Sequence, residues 1–175
     1  FVMAHPEMCR SIVVASAGAG SDPGNRERLV ASWDALSAAM AAEGMEKFAD
    51  AYARGAERLQ FLRKDPVGWA KFHAGLAAHS AQGSSLTFRG VQMKRPTIYQ
   101  LQEKLQQIKA PTLVMIGDED TPCVDPAVFM KRNIPSCGLA VFPQSGHTIN
   151  LEEPDLYNRT MSDFLTAVEA GKWAG

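Results

Sequence analysis

The stretch Pro111-Thr-Leu-Val-Met-Ile-Gly-Asp-Glu-Asp120 decides the fold. Thr112 to Ile116 is an apolar, partly β-branched run that stops at Gly117 and delivers the acids Asp118, Glu119 and Asp120. An uninterrupted apolar run of this length reads as a strand buried on both faces, as in a parallel sheet. Leu139 to His147, Leu-Ala-Val-Phe-Pro-Gln-Ser-Gly-His, repeats the design and ends in a single imidazole. Neighbouring parallel strands place Asp120 and His147 at the same edge of one sheet, and ligands of open α/β sheets bind at the carboxyl ends of the strands. A carboxylate that accepts from a ring N–H fixes the imidazole tautomer and leaves the other nitrogen free as a base.

Pro111, Leu113, Val114, Gly117 and Asp120, followed by Gly146, His147, Glu152, Pro154 and Phe164-Leu165, resemble the C-terminal half of an α/β-hydrolase-fold enzyme. In that family the nucleophile, the acid and the histidine follow one another along the chain. The resemblance therefore implies two catalytic residues here, Asp120 as the acid and His147 as the base. Asp118 is the main alternative for the acid. The implied fold is a three-layer α/β sandwich around a mostly parallel sheet, represented by its last three strands, with a helical cap inserted between the first and second. Glu152 reads as structural, holding the histidine loop or the start of the last helix.

No Gly-x-Ser-x-Gly elbow occurs in the sequence. Phe1 to Arg10 resembles the end of the helix that follows that elbow, and Ser11 to Ser16 the next buried strand. A crossover helix takes a dozen or so residues, which puts the nucleophile on the order of ten residues before Phe1. The strand at Ser11 to Ser16 is then expected to lie beside a central strand that these residues lack, leaving an apolar sheet edge. An N-terminal portion or another chain is needed to complete the sheet, and residues 1–175 alone are expected to be poorly soluble or to pair. Oligomerisation is left open.

Residues 1–20 and 96–175 are assigned to the core and 21–95 to the cap. Arg26 to about Arg95 has helical periodicity, with Leu29, Trp33, Leu36 and Met40 on one stripe and Phe48, Tyr52, Leu59 and Leu62 on others. Pro66 and Gly83 to Ser85 are expected to break it. Trp33, Phe48, Phe61, Trp69 and Phe72 are candidates to line a substrate pocket, though packing is the plainer role for each. Ile98 to Lys109 reads as a short amphipathic helix and Pro126 to Asn133 as another, with Asp125 as its N-cap. The last helix opens at Asn150 to Pro154 and carries a stripe of Tyr157, Met161, Phe164, Leu165 and Val168.

Composition is ordinary for a globular chain, with 46% hydrophobic and 21% charged residues. A net charge of -1 and the lack of a basic cluster argue against nucleic acid or an anionic membrane as partner. No run is long enough to span a membrane. Cys9, Cys123 and Cys137 form no CxxC pair, which favours a reducing, cytoplasmic setting over a disulfide framework. No cofactor is implied: Gly18, Gly20 and Gly24 miss the dinucleotide pattern by one position. No metal is implied either, since no cluster has ligand spacing. His5, His73 and His79 carry no motif. Ser16 and Ser145 lack the strained strand-to-helix turn that exposes a nucleophile, and Cys123 borders the site without the setting of a thiolate.

The resemblance implies a hydrolase that cleaves an ester or a C–C bond next to a carbonyl in a small, partly apolar substrate, by a serine outside these residues. Within the fold the alternative is an epoxide hydrolase or haloalkane dehalogenase with an aspartate nucleophile, for which Tyr52 or Tyr99 is a candidate proton donor. A non-catalytic ligand-binding member of the fold is the other class.

Overall fold

Thr112–Gly117 forms strand β2, buried at every position, in the computed structural model, which describes residues 1–173. It is flanked by β1 (Ile12–Ala15) and β3 (Cys137–Phe142), both parallel to it, in the order β1-β2-β3. The register pairs Ile12 with Thr112 and Thr112 with Cys137, and runs on to Gly117 opposite Phe142. A strand covered on both edges and both faces has no use for polar side chains, which is why its sequence is continuous rather than alternating.

Successive β2 side chains feed two separate cores. Val114 and Ile116 pack with Leu105, Ile108, Cys123, Ala127 and Met130, residues of α6 (Gln102–Gln106), α7 (Thr121–Asn133) and the turn after α6. Leu113 and Met115 pack on the other side with Phe142, Ile149 and Phe164, from β3, α8 (Ile149–Glu152) and α9 (Pro154–Glu169). Helices therefore cover both faces of a parallel sheet, the three-layer α/β arrangement. Each fully buried aliphatic or aromatic side chain contributes roughly 1.5–3 kcal/mol relative to exposure. β1 is only half-buried, and among the described residues it pairs with β2 alone.

Several local expectations are corrected. Phe1 to Arg10 holds one helical turn, closed by the His5 amide on the Phe1 carbonyl, and a 3₁₀ turn at Pro6–Met8, but no α-helix. Pro6 supplies no amide hydrogen to continue the turn. Helix α7 starts at Thr121, five residues before the expected Pro126, with Asp120 at the N-cap position and Pro122 in its first turn; Asp125 is therefore inside the helix and caps nothing. Ile98 to Lys109 is split into a 3₁₀ turn at Tyr99–Leu101 and the short α6. The last helix divides at Glu153 into α8 and α9, and Leu165 faces outward.

The chain divides into two compact units, Phe1–Ser21 with Thr97–Gly175, and Asp22–Pro96. The second is helical: α1 (Arg26–Glu43), α2 (Glu46–Ala53), α3 (Leu59–Lys64), α4 (Pro66–Ala77) and α5 (Ala81–Thr87), ending in a π-helical turn at Phe88–Gln92. Pro66 opens α4 behind the cap Asp65, whose carboxylate accepts from the Gly68 amide at 2.8 Å. Gly83 to Ser85 does not break the chain; it lies inside α5, whose start is set by Ser80 capping the Gly83 amide at 3.1 Å. Leu36 and Leu59 are exposed, and Ser37 takes an inner position by bonding the Ser85 carbonyl at 3.0 Å. Phe61 and Trp69 are buried with Ala53, and the Trp69 indole donates to the Ala53 carbonyl at 2.8 Å. Both are core of this unit rather than an open wall. No described helix is long and apolar enough to cross a membrane.

Candidate active site

The carboxyl ends of β2 and β3 deliver their loops to one place. Gly117 ends β2, and a Cβ there would lie 2.2 Å from the Ser145 carbonyl oxygen and 2.3 Å from that of Gly146. Only glycine lets the histidine loop pass this close. The loops are then tied together, the Glu119 amide donating to the Ser145 carbonyl at 2.9 Å and the Ser145 amide to Asp118 Oδ1 at 3.2 Å.

Across this junction His147 Nδ1 lies 2.8 Å from Asp120 Oδ2. A carboxylate can only accept, so Nδ1 carries the proton and Nε2 is left as the basic nitrogen. Asp120 is 1% exposed while the His147 side chain is 28% exposed. Asp120 is thus sheltered from water, whereas the His147 side chain is partly open to it. Asp118 is exposed and turned to the Ser145 amide, so the residue that the fold brings to the imidazole is Asp120.

Glu152 is buried and holds the backbone on both sides of His147. Its Oε2 accepts from the Gly146 amide at 2.7 Å, and its Oε1 from the Thr148 amide and hydroxyl at 3.0 and 2.9 Å. Short α8 is what carries Glu152 back under the loop it grips.

Other candidates fall elsewhere. Ser145 is buried with its hydroxyl donating to the Pro143 carbonyl. Ser16 departs from expectation: its φ of 47° is left-handed, a strained state for a serine, although a loop rather than a helix follows and its Oγ is buried. Tyr52 lies under the Arg58 guanidinium at 3.6 Å, and Tyr99 meets the Phe129 ring edge-on at 4.8 Å. His73 bonds Asp50 at 2.9 Å, and His5 and His79 are exposed. Cys123 is fully buried in the first turn of α7, and one ligand atom each from Asp120, Cys123 and His147 lie within 4.8 Å of one another. Sequence spacing did not reveal that trio because one member arrives from another strand. No disulfide joins the three cysteines. Burial pushes the Cys137 thiol above its ordinary value, with the Lys131 charge and the Val114 backbone opposing.

No family profile matches the chain. Over 184 aligned positions it is 22% identical to a Bacillus subtilis protein that carries the provisional name 2-succinyl-6-hydroxy-2,4-cyclohexadiene-1-carboxylate synthase, covering 96% of this chain and 61% of that one. It is 41% identical over 64 residues to the 2-hydroxy-6-oxo-6-phenylhexa-2,4-dienoate hydrolase of Burkholderia cepacia, covering 35% of this chain and 22% of that one. Among solved structures, MenH from S. aureus superposes with a TM-score of 0.83 at 20% identity, over 91% of this chain and 60% of that one. The enol-lactonase from Burkholderia xenovorans gives 0.76 at 20% identity, over 94% of this chain and 59% of that one. The chain thus spans about three fifths of the length of the proteins that it matches along most of its own. By these likenesses, the chain has the α/β-hydrolase fold.

Proposed function

We propose that this chain supplies the acid and the base of an enzyme that hydrolyses an ester, or a C–C bond next to a carbonyl, by acyl transfer. The observation that carries the reading is the 2.8 Å contact between His147 Nδ1 and the buried Asp120 carboxylate, with the His147 side chain partly exposed. A serine outside these 175 residues attacks the carbonyl carbon, and His147 Nε2 takes its proton and returns it to the leaving group. Asp120 keeps the tautomer and stabilises the imidazolium, and backbone amides receive the oxyanion. The helical unit Asp22–Pro96 serves as the cap that selects a small, partly apolar substrate, and the protein works in the cytoplasm. The N-terminal portion or partner chain that holds the nucleophile also covers the β1 edge.

A fluorophosphonate probe on the protein with its nucleophile-bearing segment tests this. Covalent labelling that His147→Ala reduces by about a thousandfold or more is the expected result. Equal labelling of the variant contradicts the role of His147, and turnover of epoxides or haloalkanes without labelling replaces the serine with an aspartate.

A further inference from the structure

We propose that Asp120, Cys123 and His147 together form a site for a thiophilic divalent cation of the zinc or cadmium class, and that filling it switches the base off. The three offer a carboxylate oxygen, a thiolate sulfur and a ring nitrogen, one from each lying within 4.8 Å of the others. In a tetrahedral site with Zn–N near 2.0–2.1 Å and Zn–S near 2.3 Å, neighbouring ligand atoms sit roughly 3.5 Å apart, so small side-chain shifts suffice. The starting point of α7 makes this possible. The Cys123 amide closes its first turn on the Asp120 carbonyl at 2.8 Å, and residues three apart on a helix share a face. A second observation points the same way: Asp120 Oδ1 is buried, and among the described residues it accepts no hydrogen bond. An acceptor left bare inside a fold is costly, and a cation answers it. Sulfur, nitrogen and oxygen in one site select zinc or cadmium over magnesium or calcium, and the reachable His147 ring gives the way in.

The protons balance without any electron transfer. The cation takes the Nδ1 lone pair, the ring proton moves to Nε2, and the Cys123 thiol proton leaves to solvent as sulfur bonds the metal. An imidazole metallated at Nδ1 and protonated at Nε2 has no lone pair left to receive a proton. Binding itself does not depend on the hydrolase reading, whereas the loss of activity rests on it.

Titration of the full chain with cadmium chloride tests the site. The expected result is a thiolate-to-cadmium ultraviolet band saturating at one equivalent, with one histidine showing a metal-bound Nδ1 and a protonated Nε2 by nitrogen-15 NMR. Cys123→Ser abolishes the band and weakens binding at least tenfold, whereas Cys137→Ser keeps both. No band in the unsubstituted chain, a band that survives Cys123→Ser, or unmoved histidine rings overturns the proposal. The ring signals decide on the unsubstituted chain if Cys123→Ser does not fold. Hydrolysis should fall at least tenfold on saturation with zinc and return with a chelator; continued turnover with the full cadmium signature overturns the switch and the role of His147 as base, and leaves the site.

Discussion

Gly146 gives its amide hydrogen to Glu152 Oε2 at 2.7 Å, so the residue before His147 is fixed by a carboxylate that is itself buried. Thr148, the residue after, is bound by the other oxygen of the same carboxylate. The imidazole is therefore set by its backbone as well as by Asp120.

Glu152→Ala removes an acceptor from two amides and a hydroxyl. A hydrogen bond to a charged group contributes about 1.5–3 kcal/mol, and a loss of that order is expected in denaturant melts. Activity should fall further than the population of folded protein explains, because the loop keeps its residues and loses its geometry. Glu152→Gln retains one acceptor and should fall between.

Gly117→Ala places a methyl against the Ser145 and Gly146 carbonyls. Overpacking of a tight site costs about 1–3 kcal/mol, and the upper end is expected because both neighbours are backbone. Gly75→Ala is the control: it lies in α4 with nothing near its missing Cβ, and should stabilise by about 0.5–1 kcal/mol. Thermal melts of the two variants should move in opposite directions.

Cys137 gives a pH dependence. Burial raises its thiol above the ordinary 9.0, so between that value and the raised one the unfolded chain loses its proton while the folded chain keeps it. The unfolded state then binds fewer protons, and stability falls as pH rises. The contribution is fully present below the ordinary thiol value. Melting temperature should drop less steeply on the alkaline side in Cys137→Ala than in the unsubstituted chain, and parallel slopes would contradict the cause given.

The fold and the Asp120–His147 pair were legible because they lie where strand periodicity stops. Thr112 to Ile116 announces a doubly covered strand, and Gly117 marks where its loop leaves the sheet. Part of what the sequence concealed originates in Pro126. Taking it as the first residue of a helix hid the earlier start at Thr121, for which Pro122 was the available signal, and so hid that Cys123 stands one turn from Asp120. Leu36, Leu59 and Leu165 read as core but are exposed, because a stripe fixes a helix face and not how far its neighbours cover it. Ser37 shows the converse, a polar residue drawn inside by a specific partner in Ser85. The strain at Ser16 had no sequence signal, since a serine in left-handed backbone is held there by its surroundings.

The central claim is that His147 is a base oriented by Asp120, and ester hydrolysis by the protein with its nucleophile-bearing segment measures it most directly. His147→Ala and Asp120→Asn should each lower kcat/KM by roughly 10³–10⁴ with the melting transition retained, because one removes the base and the other leaves it in the wrong tautomer. Activity of either folded variant within tenfold of the unsubstituted protein would contradict the account.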